Sequence, residues 1–194
     1  MSIERKPIVI LGPTASGKSD SAMSAAMSNG NTEIVVCDAM QVYKRMDIGT
    51  AKPTLEDQQK VQHHCIDLVE PSARFTVSDY QIAARAAVAD IHARDKNALV
   101  VAGTGLYRTS LIDDLSFPGE WPEIRRELQE EPDVNTLYRR LKALDPVAAA
   151  NIERSNRRRI ERALEVCMGS GKPFSDNAPG TGAYPDNGVV QIGL

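Results

Sequence analysis

The chain has 194 residues, 42% of them apolar and 25% charged, and a net charge of −3. That length suits one domain with room for a small insertion, and the composition is that of an ordinary globular protein able to bury a real core. No apolar run approaches the roughly 20 residues that a membrane-crossing helix needs, and the slight acidity offers no bulk attraction to nucleic acid, so any RNA binding must rest on a local basic patch.

The opening MSIERKPIVILG is too short and too charged for a secretory leader. Lys6 to Leu11 (KPIVIL) is a β-branched run that fits a strand buried on both faces. Gly12 to Ser19 reads as a glycine-bearing loop, Asp20 to Met27 as the helix after it, and Glu33 to Cys37 (EIVVC) as a second buried strand stopped by Asp38. Asp57 to Leu68 is mixed and polar. Ser78 is placed to cap a helix through Tyr80 to Arg94. Ala98 to Ala102 (ALVVA) is a third strand, followed by Gly103-Thr104-Gly105 and a helix to about Asp113. This alternation predicts an α/β fold with a parallel sheet flanked by helices, P-loop NTPase-like because GPTASGKS (Gly12 to Ser19) joins its first strand to its first helix.

The pattern changes after Phe117. Pro118 to Leu144 is charged and helical, which predicts a small α-helical insertion outside the sheet. A further arginine-dense helix is expected from about Asp145 through Val166, flanking the sheet. Gly169 to Gly188 is loop-like in composition, and Val189 to Ile192 (VVQI) reads as one more strand. The core is thus expected from residues 1–117 and 145–194, with 118–144 as the insertion. Cys37, Cys65 and Cys167 are scattered without CxxC spacing, as expected of reduced thiols in a cytoplasmic protein.

Gly12-Pro13-Thr14-Ala15-Ser16-Gly17-Lys18-Ser19 matches GxxxxGK[ST] at every fixed position, between a strand and a helix as that motif requires. Such a loop curls so that backbone N–H groups face phosphate oxygens. The helix N-terminus adds its dipole, Lys18 a point charge and Ser19 a hydroxyl ligand for Mg²⁺. Asp38 falls at the carboxyl end of a strand, where ligands sit in open α/β sheets. It fits a general base or a water-mediated metal ligand equally, and spacing does not choose between them. Arg154, Arg157, Arg158, Arg159 and Arg162 crowd nine positions, too many for one helical face. Exposed helix arginines are usually solvated or paired, here with Glu153, Glu161 and Glu165, and composition alone favours that over RNA binding. His63 and His64 lack a third ligand at metal spacing and read as structural or substrate-adjacent.

Further stretches are diagnostic: Asp38-Ala-Met-Gln-Val-Tyr-Lys-Arg-Met-Asp-Ile-Gly-Thr-Ala-Lys-Pro53, His63-His-Cys-Ile-Asp67, Phe75-Thr-Val-Ser-Asp-Tyr80, Val101-Ala-Gly-Thr-Gly-Leu-Tyr107 and Arg158-Arg-Ile-Glu-Arg-Ala-Leu-Glu-Val166. In order and spacing, from Ile8 to Leu194, these resemble the tRNA dimethylallyltransferase family. The resemblance implies transfer of a dimethylallyl group from dimethylallyl diphosphate to N6 of an adenosine beside a tRNA anticodon, by a cytoplasmic monomer with Mg²⁺. It implies that Gly12 to Ser19 cradle the diphosphate, Lys18 offsets its charge, Asp38 takes the amine proton and Thr104 hydrogen-bonds near the reacting atoms. It also implies tRNA contacts at Asp38, Ala39, Met40, Gln41, Thr104, Arg125, Arg158, Arg159, Ile160, Glu161 and Arg162.

Three residues depart from the family's pattern. Ala39 replaces a usual Ser, Arg45 a usual Gly, and Ala102 the first glycine of GGTG. Family members also continue beyond VVQIGL, so the resemblance implies a chain lacking the C-terminal part of the fold. Three other readings share the loop and Asp38. One is a prenyltransferase acting on a free adenine nucleotide, another a small-molecule kinase, and the third a shortened relative that binds without turnover. The helical insertion and the arginine helix favour tRNA over a free nucleotide, which needs neither; the arginines sit too late in the chain for a kinase lid, and the reading as a shortened binding protein stays open.

Overall fold

The computed structural model describes residues 5–103, 105–113, 117–177 and 188–194. Contacts divide it into two units, Met1–Leu115 with Pro185–Leu194, and Ser116–Tyr184.

The first unit is a sheet of β1 (Ile8–Leu11), β2 (Thr32–Cys37), β3 (His63–His64), β4 (Asn97–Ala102) and β5 (Gln191–Gly193). The order is β3-β2-β4-β1-β5 and every pairing is parallel. Parallel strands covered on both faces explain the uninterrupted apolar runs. Alternate side chains divide between two cores. Val9, Val35 and Val100 pack with Tyr80, Ala84 and Ile91 of α3 (Val77–Ala93), whereas Ile10, Ile34, Val36 and Leu99 pack with Ala22 and Ala26 of α1 (Lys18–Asn29). The remaining helices of this unit are α2 (Leu55–Lys60) and α4 (Leu106–Ile112).

Some local expectations shift. The cap of α3 is Thr76, not Ser78. Its hydroxyl accepts from Asp79 N while the Asp79 carboxylate accepts from Thr76 N, a reciprocal box that satisfies two otherwise orphan donors. The polar stretch 57–68 hides α2 and the two-residue β3, which are too short to leave a periodic pattern.

The second unit contains α5 (Pro122–Glu130), α6 (Val134–Leu144), α7 (Pro146–Asn151), α8 (Arg157–Ser170) and a 3₁₀ turn at Phe174–Asn177. Leu128, Leu137, Leu141, Ile160 and Leu164 are its fully buried centre. The expected helix 145–166 is therefore two helices. Asn156 stops and restarts the chain, its side chain accepting from Arg159 N at 3.1 Å in an N-cap. The expected division at residue 145 also moves, because α8 buries its apolar face against α5 and α6 and falls in the helical unit. Much of the loop expected at 169–188 lies outside the described residues.

Candidate active site

The Gly12–Ser19 loop leaves the carboxyl end of β1 and opens α1, the strand–loop–helix setting its spacing predicts. A Cβ on Gly12 would meet Ser16 Oγ at 2.5 Å and the Leu194 carbonyl at 3.0 Å, so only glycine fits the first position of the turn. Gly17, at φ 82°, occupies the left-handed region as the N-cap of α1. It offers no side chain to the first-turn N–H groups, which leaves those donors and the positive end of the helix dipole to an anion. Lys18 Nζ donates to the Pro13 carbonyl at 2.6 Å and so spans the loop. Ser16 Oγ is buried with no partner among the described residues.

Asp38 follows β2 on the same edge of the sheet. Its Oδ1 accepts from Met40 N at 2.7 Å and Gln41 N at 3.1 Å, fixing the turn 38–41. Its Oδ2 has no partner among the described residues. A cavity of about 820 Å³ is lined by Thr14, Lys18 and Ser19 of the loop, by Asp38 and Gln41, and by Gly103 after β4. The structure thus brings the anion cradle and the carboxylate together. Thr104, assigned beside them from sequence, lies outside the described residues. Ala39 and Met40 are exposed beside Asp38.

Sequence reasoning missed the frame of this cavity. Lys52, its side chain only 3% exposed, donates to the Tyr43 carbonyl at 2.8 Å and pairs with Asp47 at 2.8 Å and Asp67 at 2.7 Å. Burial works against its charge, but the two carboxylates outweigh burial and raise its pKa. Gln41 Nε2 donates to the Thr50 and Ala51 carbonyls at 3.0 and 3.3 Å, and Thr50 Oγ1 donates to the Met46 carbonyl at 2.7 Å. The only available signal was the motif MDIGTAKP itself, which phosphate binding does not require. Arg45 has φ 60°, the left-handed conformation for which the family's usual glycine is suited, and its guanidinium pairs with Glu70. Ala102 is fully buried at the end of β4, between Leu11 and Cys37 of the neighbouring strands.

Both histidines are held by hydrogen bonds, and His63 also lines the cavity. His64 Nε2 lies 2.7 Å from Glu33, and His63 Nδ1 lies 2.7 Å from the Val61 carbonyl; burial holds the His63 pKa below its ordinary value. Burial pushes the Cys37 thiol up to about 11 and the Cys65 thiol to about 12, which makes both poor nucleophiles.

In the helical unit the arginines separate by partner. Arg125 donates twice to the buried Glu165, at 3.0 Å each, and Arg162 pairs with Glu165 at 3.1 Å while donating to the Pro118 and Gly119 carbonyls. Arg157 pairs with Glu161 at 2.6 Å and caps carbonyls at the end of α5. Arg154 sits over the Tyr138 ring at 5.3 Å. Ile160 is a core residue. Arg158 and Arg159 are exposed, and their guanidinium groups have no partner among the described residues.

Ser19 contributes a hard hydroxyl oxygen to the cavity wall, unpartnered among the described residues, and Asp38 contributes a carboxylate to the same cavity. Such a sparse oxygen set fits Mg²⁺, which keeps several waters and is completed by phosphate oxygens, rather than a metal needing a full protein cage.

Fold and site together define an α/β protein with a P-loop anion cradle and a strand-end carboxylate facing one cavity. The family model described as IPP transferase matches residues 41–194. The tRNA dimethylallyltransferase of Bifidobacterium adolescentis is 44% identical over 182 residues, which is 90% of this chain and 54% of that protein. The tRNA dimethylallyltransferase 1 of Citrifermentans bemidjiense is 48% identical over 171 residues, covering 88% and 55%. Among solved structures, the tRNA isopentenylpyrophosphate transferase of Bacillus halodurans is similar at 39% identity and TM-score 0.56, covering 88% of this chain and 58% of its own. A eukaryotic dimethylallyltransferase described as acting on tRNA is similar at 30% identity and TM-score 0.77, covering 89% and 44%. The chain belongs to the IPP transferase family. It spans about half the length of the curated relatives it matches.

Proposed function

We propose that this chain carries the diphosphate-binding and base-bearing part of a tRNA prenyltransferase, which moves a dimethylallyl group from its diphosphate to the N6 amine of an adenosine next to the anticodon. The observation that carries this reading is that Lys18, Ser19 and Asp38 line one and the same cavity. The N6 nitrogen attacks the allylic carbon as the C–O bond to diphosphate breaks, and the electron pair leaves with the diphosphate. The first-turn N–H groups of α1 and the Lys18 ammonium offset the charge that develops there. The amine proton passes to Oδ2 of Asp38, while Oδ1 keeps the carboxylate aimed through its two backbone bonds. Ser19 and the diphosphate would hold Mg²⁺, which neutralises leaving-group charge when bound. Arg158 and Arg159 are exposed cations within this cluster that could meet RNA phosphates, whereas Arg125, Arg157 and Arg162 shape the helical unit around them.

The test is an acceptor comparison. Purified protein receives dimethylallyl diphosphate and Mg²⁺ with unmodified tRNA or with AMP, and N6-prenylated adenosine is sought by mass spectrometry. Product on tRNA alone is expected. Product on AMP would move the reading to free-nucleotide prenylation, and no product on either would leave a binding protein only.

A further inference from the structure

Ile48 carries the largest fractional exposure of any large apolar side chain among the described residues, at 98%. It stands in MDIGTAKP, the motif that phosphate binding and proton transfer leave unexplained. Exposure of a single isoleucine is ordinary, but its mounting here is not. Asp47, immediately before it, is pinned by the buried Lys52. Thr50, two residues after it, is held through its hydroxyl by the Met46 carbonyl and through its own carbonyl by Gln41. The segment is therefore tied down at Asp47 and at Thr50, with Gly49 turning the chain at φ 79° between them, and the Ile48 side chain is presented to solvent. The same segment borders the cavity. Gln41, Thr50, Ala51 and Lys52 line it together with Asp38 and the anion loop. Met40, beside Asp38, is also an exposed apolar side chain at 46%.

A base whose amine must reach Asp38 at a strand end, next to a bound diphosphate, has to leave the stack of its own RNA loop. Leaving it opens a gap between the neighbouring bases, and apolar side chains such as Ile, Met and Leu are what proteins insert at such steps. We propose that Ile48 is a positioning residue for the RNA acceptor, an apolar wedge that packs against the unstacked bases flanking the one offered to Asp38. The inference rests on the tRNA reading above and adds to it the element that holds the RNA loop open. It also gives a reason for the buried Lys52, because a wedge works only if its mount does not yield.

The experiment uses an anticodon stem-loop RNA carrying 2-aminopurine at the acceptor position, whose fluorescence rises on unstacking. Titration with the wild-type protein should raise fluorescence on binding. Ile48→Asp should weaken binding about tenfold and reduce the fluorescence reached at saturation, as expected when burial of one isoleucine side chain is lost. Ile48→Leu should restore both, and the thermal midpoint of each variant should match wild type because the side chain supports no packing. An Arg158→Ala/Arg159→Ala control should weaken binding without lowering saturating fluorescence. Ile48→Asp that binds and unstacks like wild type overturns the wedge while leaving the tRNA reading intact. A folded wild-type protein with no affinity for the hairpin overturns both. A loss in Ile48→Asp that coincides with a fall in thermal midpoint assigns Ile48 to packing and also overturns the wedge.

Discussion

Asp38 is asked to do two things with one carboxylate. Oδ1 holds the turn 38–41 through two backbone N–H groups, and Oδ2 has no partner among the described residues. An alanine would remove both functions together, so loss of activity in Asp38→Ala would not separate a base from a turn support. Asn keeps an amide oxygen that can accept the same two backbone bonds. Asp38→Asn is therefore the sharper variant. Transfer should fall by about a hundredfold or more, while diphosphate affinity, measured by calorimetry, and thermal midpoint stay near wild type. Retained turnover would remove Asp38 from proton transfer. Lys18 belongs to the same scale: its ammonium already bridges to Pro13, so it is presented toward the loop rather than sampling solvent.

At the level of elements, the amino end of β2 is held by a charge cluster on the edge of the sheet opposite the site. Glu33, almost fully buried, accepts from both terminal nitrogens of Arg94 at 2.6 and 2.7 Å, from Lys96 at 2.7 Å, and faces His64. Chiefly through Arg94, these partners overcome burial and hold its carboxyl well below the ordinary range. Because the folded pKa lies below the unfolded one, the native state binds fewer protons and the stabilisation is fully present above the ordinary carboxylate pKa. It is lost progressively as pH falls toward the folded value. Glu33→Gln should cost about 1–3 kcal/mol at neutral pH, since Arg94 and Lys96 are partly exposed and regain water. The gap between variant and wild type, followed by urea unfolding, should close as pH is lowered below about 4.5. A gap that stays constant down to pH 3 would show that Glu33 acts through packing alone.

For the molecule as a whole, the net charge of −3 makes Arg158 and Arg159, unpartnered among the described residues, conspicuous. Three of the five clustered arginines are committed inside the helical unit, one to a ring and two to carboxylates and carbonyls. RNA attraction should therefore be local and removable. Arg158→Ala with Arg159→Ala should lower the slope of log affinity against log salt by roughly 1.4–1.8, the contribution of two phosphate contacts. Thermal stability should be unchanged. Arg162→Ala should instead lower stability by breaking its bonds to Glu165 and the 118–119 backbone. An unchanged salt slope in the double variant would assign both residues to a solvated face.

The sequence alone determined what local chemistry can encode. GxxxxGKS at a strand–helix junction specifies a turn that only certain residues can make, and continuous β-branched runs specify parallel strands covered on both faces. Asp38 and the loop each announce themselves by position at a strand end, and MDIGTAKP and RRIERALEV identify the family. What the tertiary structure decided was which groups are spent on one another. Arginine spacing could not separate Arg158 and Arg159 from Arg125, Arg157 and Arg162, because the acceptors of the last three include a buried Glu165 and backbone carbonyls distant in sequence. The membership of α8 in the helical unit followed from which apolar face it buries, and a helical repeat says that a face exists without naming its partner. The mounting of Ile48 was equally hidden, since Lys52 is a surface-type residue in sequence and a buried strut only once Tyr43, Asp47 and Asp67 converge on it. Local rules travel with the chain, whereas partner choice depends on contacts that exist only after folding.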